Sequence, residues 1–187
     1  MGQPGGFPSV PLLTDSGDLP RGRFCVSLED VEKRFVSAAE YEGSTTREQV
    51  WSDFNDVIDL IRRKRAAIPA AFLGGSFVSS ELNPSDVDAA LFIDFSRIRN
   101  GQTYADVEQI VNNPKTNLGL QVDAFIIPWH PDGTELGGGD WQAYVRERSR
   151  WDDFWQRKVA KPDRQPPQRH HSMPLRGYLE VIIDDYR

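Results

Sequence analysis

A single cysteine, Cys25, stands among 187 residues, which excludes an internal disulfide and suits a reducing compartment. Its neighbours Phe24, Val26 and Leu28 are apolar, so the thiol reads as buried and inert. No apolar run approaches the roughly 20 residues that a membrane span needs. The opening MGQPGGFPSVPLLTDSGDLPRG lacks the basic stretch and apolar centre of a secretory signal. Gly2 is followed at position 6 by Gly, where myristoylation wants Ser or Thr. An overall cationic excess is lacking too: the net charge is −6, which argues against indiscriminate nucleic-acid binding. These absences predict a cytoplasmic protein without membrane attachment.

What is present is the composition of a folded chain, 39% hydrophobic and 27% charged, enough for one domain with an ordinary core. Residues 1–22 are rich in Gly and Pro and predict an extended N-terminal segment that wraps the surface or stays mobile. Residues 23–187 predict one domain. Charge is unevenly spread within it. From Arg146 to Arg176 there are nine Lys or Arg against four Asp or Glu. Such a run is usually a solvated face, and its functional alternative is a seat for phosphates.

Ser27 can cap a short helix through about Phe35. Thr45 with Glu48, or Thr46 with Gln49, has capping-box spacing before Val50, Trp51, Phe54, Val57, Ile58 and Ile61, which recur at helical period. Pro69 is expected to end that helix, with the basic residues 62–65 favouring its C-terminal end. AAFLGG (70–75) reads as a short strand, and VDAALFID (87–94) as a central strand covered on both faces. TYADVEQIVNN (103–113) predicts a helix, and LGLQVDAFIIPW (118–129) a third strand ended by Pro128. An aromatic helix is expected from Trp141 to about Lys158, with Tyr144, Trp151, Phe154 and Trp155. A Pro-rich loop then leads to a last strand, GYLEVII (177–183). Alternating helices and strands predict an α+β (α/β) class with a mixed sheet flanked by helices.

The chemistry gathers near Asp86. Along a strand, side chains alternate between faces, so Asp86 and Asp88 point the same way. Two carboxylates side by side repel, and an apolar strand end solvates them poorly. A cation between them removes that cost, and hard oxygen ligands suit Mg²⁺ (or Mn²⁺). A third acid, Asp123, lies inside another apolar strand, so the three predict one divalent-metal site. Two ions held by such acids serve phosphoryl and nucleotidyl transfer. Gly74 and Gly75 permit a sharp turn whose N–H groups can face an anion. If residues 76–81 open a short helix, Ser76 sits at its N-terminus as a phosphate seat.

Gly75-Ser76, nine residues, Asp86-Val87-Asp88-Ala89 and later Val122-Asp123-Ala124 together resemble the polymerase-beta-type nucleotidyltransferase superfamily. That pattern is a Gly-Ser turn, a gap of nine to thirteen residues, an acid–apolar–acid strand and a later strand with the third acid. The likeness covers residues 70–128. LPRGRFCVSLEDVEKRF and PLRGYLEV are similar to stretches of small bacterial and phage members consisting of little more than the catalytic domain.

The resemblance implies that Asp86 and Asp88 bind both metals, that Asp123 binds the catalytic metal and helps activate the attacking hydroxyl, and that Ser76 holds terminal phosphates. It implies an NTP such as ATP as donor and a hydroxyl acceptor on RNA, protein or a small molecule, in a toxin–antitoxin or phage-defence setting. The basic segment leans the acceptor toward RNA, with Arg157, Lys158, Lys161 and Arg164 as phosphate or acceptor contacts. The larger relatives add a helical domain that selects the acceptor, and here only residues 141–187 remain for that task. The rival expectation is a catalytically silent nucleotide-binding module or the partner of another protein. Asp94 reads as a solvated strand-end acid, His130 as a loop residue, and His170-His171 as lacking the spacing of metal ligands.

Overall fold

In the computed structural model, residues 9–94, 96, 98, 101–129, 139–158 and 173–186 are described. Ser27 closes strand β1 (Arg23–Ser27) and opens helix α1 (Leu28–Phe35). Its Oγ accepts from the Asp30 N–H at 3.1 Å, while the Asp30 carboxylate accepts from the Ser27 N–H at 3.0 Å. This reciprocal cap satisfies two otherwise orphaned donors. Helix α2 (Arg47–Arg63) turns Val50, Trp51, Phe54, Val57, Ile58 and Ile61 inward, as their spacing requires.

Two expected boundaries of α2 differ. Thr46 makes no side-chain cap, and the Ser44 hydroxyl instead accepts from the N–H groups of Thr46 and Arg47. The helix also stops at Arg63, before Pro69, because Arg65 turns to a left-handed φ of 62°.

Strands β2 (Ala70–Gly74), β3 (Val87–Asp94), β4 (Val122–Trp129) and β5 (Tyr178–Ile182) join β1 in a mixed sheet of order β1-β5-β2-β3-β4. The pairs β1–β5 and β3–β4 are parallel, and β2 is antiparallel to both its neighbours. Between β3 and β4 the chain passes through α3 (Gly101–Val111) and α4 (Pro114–Leu118), the crossover that a parallel pair requires. Pro128 does not end β4, which continues to Trp129 with Pro128 opposite Ile93. An edge strand has no partner on its outer side, so the missing N–H breaks no ladder bond.

Successive residues of β3 serve opposite faces of the sheet. Val87, Ala89, Leu91 and Ile93 join the core with Phe35, Phe54, Ile58 and Ile61 from α1 and α2. Ala90 and Phe92 face the other way, onto Trp151 and Trp155 of α5 (Gly139–Gln156). Both tryptophans are buried, whereas Phe154 stays exposed. Each large side chain buried in this way contributes about 1.5–3 kcal/mol. The result is an α+β fold whose sheet has helices on both faces.

Several finer expectations also change. Cys25 is half-buried rather than buried, and its thiol is pushed up by burial and by Glu180. Asp94 is buried, not solvated, and its carboxylate accepts from the Ser96 N–H at 3.0 Å. Residues 9–22 lie on the surface with Val10 and Leu19 tucked in. Among the described residues, no helix is long and apolar enough to cross a membrane.

Candidate functional site

Register brings the acids together. Asp88 lies opposite Asp123 in the parallel β3–β4 pair and opposite Gly74 in the β2–β3 pair. Paired residues share a face, so Gly74, Asp88 and Asp123 form one row on the α5 side, at the N-terminal ends of β3 and β4. Asp86 sits one residue before β3 and reaches the same cluster. Lys115 Nζ lies 2.5 Å from Asp86 Oδ2 and 2.9 Å from Asp123 Oδ1, so both carboxylates converge on one cation position. The acids are nonetheless not set as a ready three-ligand metal cage among the described residues. An ammonium group holds two of them.

The electrostatics follow from burial. Asp88 is pushed up to about 6, first by desolvation, then by Asp86 and Asp123, while Lys115 and Arg176 oppose the shift. Burial works against the Lys115 ammonium, but its hydrogen bonds to Asp86 and Asp123 win and raise its pKa. Arg176 is lowered by burial, partly offset by Asp18 and Asp88. Its Nε donates to the Trp155 carbonyl at 3.2 Å. Lys158 Nζ lies 2.7 Å from Asp18 Oδ2, on the N-terminal segment.

The glycine turn is shaped by the acid beside it. At Gly75, φ is +71° and a Cβ would lie 1.7 Å from Asp88 Oδ2, so only glycine fits there. Gly74 belongs to β2 rather than to the turn, and a Cβ on it would meet the Trp155 ring at 2.4 Å. Residues 75–80 form successive turns, not the expected helix. The half-buried Ser76 therefore stands on a turn, whose carbonyl accepts from the Ser79 N–H at 3.2 Å and the Ser79 hydroxyl at 2.7 Å.

Buried Arg47 braces that segment from beneath. Its guanidinium donates to the carbonyls of Phe35 and Phe77 at 2.9 and 2.7 Å, of Ser79 at 2.9 Å, and of Glu81. It also lies 3.7 Å from the Tyr41 ring centroid, while the Tyr41 hydroxyl donates to Ser79 O at 2.8 Å. Asp53 of α2 fixes the strand starts in a similar way. Its Oδ2 accepts from Gln121 N–H at 2.8 Å, and Gln121 O accepts from Val87 N–H at 3.1 Å.

The expected cationic contacts fare unevenly. Arg157 is paired with Asp153, and Lys158 with Asp18. Arg146 and Arg150 both reach Glu147, so part of the basic run is neutralised within α5. Lys161, Arg164, His130, His170 and His171 lie outside the described residues. Lys115, Arg176 and Arg47 were not singled out by sequence. Pro114 at the first position of α4 is a helix-start signal that would have placed Lys115 beside the head of β4.

A family model described as a family of unknown function (DUF6932) matches residues 11–181. No curated protein and no solved structure matches the chain.

Proposed function

We propose that the chain, which belongs to this family of unknown function, is a metal-dependent nucleotidyltransferase that moves a nucleoside monophosphate from an NTP onto an acceptor hydroxyl. One observation carries this reading. Asp86, Asp88 and Asp123 meet at the ends of adjacent strands, against a glycine turn moulded to Asp88.

The donor set fits a hard divalent cation. Three carboxylates converge, two already share a positive charge, and burial first, then its acidic neighbours, bias Asp88 toward its neutral form. Asp86, Asp88 and Asp123 would hold Mg²⁺ or Mn²⁺, which when bound supplies charge stabilisation to the phosphates and the attacking oxygen. The Gly75-Ser76 turn orients the donor's terminal phosphates, and Arg176 lends positive charge from the α5 side. The acceptor oxygen bonds to the α-phosphorus as the bond to the bridging oxygen breaks. Pyrophosphate leaves with that oxygen, and the hydroxyl proton passes to the Asp123 carboxylate, the more open of the strand acids (45% side-chain exposure). Trp155 and Trp151 cover the adjoining sheet face and exclude water there.

A second reading, a silent nucleotide-binding or partner-docking module, is favoured by the Lys115 ammonium standing where a metal would. The deciding experiment incubates the protein with each α-labelled NTP, Mg²⁺ or Mn²⁺ and a bacterial lysate fractionated into RNA, protein and small molecules. Label is expected to move into one fraction and to be lost in Asp86→Ala/Asp88→Ala. Absence of transfer with every nucleotide, or transfer undiminished in the double variant, would falsify the enzyme reading.

A further inference from the structure

We infer that Lys115 is the site's own resident cation and restricts it to a single divalent ion. This rests on the proposed transferase chemistry but concerns the number of ions it uses. Lys115 Nζ makes direct contacts of 2.5 and 2.9 Å with one oxygen each of Asp86 and Asp123, the range of charge-assisted hydrogen bonds. An ion bridging those two oxygens at about 2.1 Å would stand where Nζ stands. The two cannot occupy the place together.

The lysine is carried there by the backbone. Pro114 starts α4, Gly119 ends it in a left-handed conformation, and Leu120 N–H donates to Pro114 O at 3.3 Å. Two residues later β4 begins, with Asp123 as its second residue. This tight connection fixes the Lys115 backbone beside the acid it neutralises. Its ion pairs leave out Asp88, whose carboxylate stands against the Gly75 turn.

The test titrates Mn²⁺ alone into the full chain at pH 7.5 and counts bound ions from the loss of the free-ion paramagnetic resonance signal. Circular dichroism checks that each variant is folded. Wild type and Lys115→Arg should bind one ion, and Lys115→Met two. Lys115→Gln, which keeps a hydrogen-bond donor without the charge, repeats the measurement should Lys115→Met not fold. Two ions in the wild type overturn the inference and leave the transferase reading intact. A single ion in the neutral variants also overturns it, since the ammonium then holds no ion's place. No ion in any chain overturns both the inference and the metal dependence of the proposed reaction. The labelled-nucleotide assay separates these last two failures.

Discussion

Burial of Asp88, with Asp86 and Asp123 beside it, raises its carboxyl from about 3.8 to about 6. Between those values the folded state binds more protons than the unfolded state, so the stability this group lends is present below about 3.8 and is lost as pH rises through about 6. At pH 7 the charged group therefore costs up to about 3 kcal/mol, at 1.36 kcal/mol per pKa unit. Asp88→Asn should be more stable than wild type in urea at pH 7 by an amount approaching that figure. Its advantage should shrink toward pH 4, and nucleotide transfer should be lost. Equal stability at both pH values would remove the electrostatic account. The three acids were legible in the sequence because charged residues inside or at the edge of apolar strands have few structural excuses. Lys115 and Arg176 were not, because a lone cation carries no period, and its partners lie in other elements.

Elements with a strong period were read correctly from sequence, α1 and β3 with both their ends, whereas both ends of α2 were not. The helical faces of α1 and α2 and the apolar run of β3 follow from side-chain spacing alone. The real start of α2 depends on which of three neighbouring hydroxyls reaches the free N–H groups, and Ser44 reaches them. Pro128 was misread because its tolerance depends on β4 being at the sheet edge, a fact of topology. β1 and α4 are five residues each, too short for periodicity to announce. Residues 75–81 show the same limit, since their shape is imposed by Arg47, some thirty residues earlier. Removing that guanidinium takes the donor from the buried Phe35 and Phe77 carbonyls, each worth about 1–3 kcal/mol when left unsatisfied, while Ser79 O keeps the Tyr41 hydroxyl. Arg47→Met should lose at least about 2 kcal/mol of stability in urea. In Arg47→Lys, hydrogen exchange should quicken first at the amides of residues 77–81, ahead of those in β5. Uniform acceleration across the sheet would mean that Arg47 supports the fold generally rather than this turn.

Across the whole molecule, one sheet face is an apolar core under α1, α2 and α3, and the other is shared between α5 and the acids. That division sets a thermodynamic link between the site and the fold. The repulsion stored at Asp86, Asp88 and Asp123 is present only when the strands are paired, so a cation that relieves it binds the native chain and not the unfolded one. Ligation of this kind adds RT ln(1 + [L]/Kd), about 2.7 kcal/mol at one hundred times Kd. For a chain of this size each kcal/mol moves the melting midpoint by about 2–4 °C. Mg²⁺ or Mn²⁺ at such saturation should therefore raise Tm by roughly 5–11 °C at pH 7.5, and EDTA should reverse the rise. Asp88→Asn should start from a higher Tm without metal and gain little on adding it, because the charge that demanded the ion is gone. The same gain in wild type and Asp88→Asn would place the ion elsewhere on the surface. No gain in wild type at any concentration would leave Lys115 as the only cation this sheet end accepts, which favours the silent module over the enzyme.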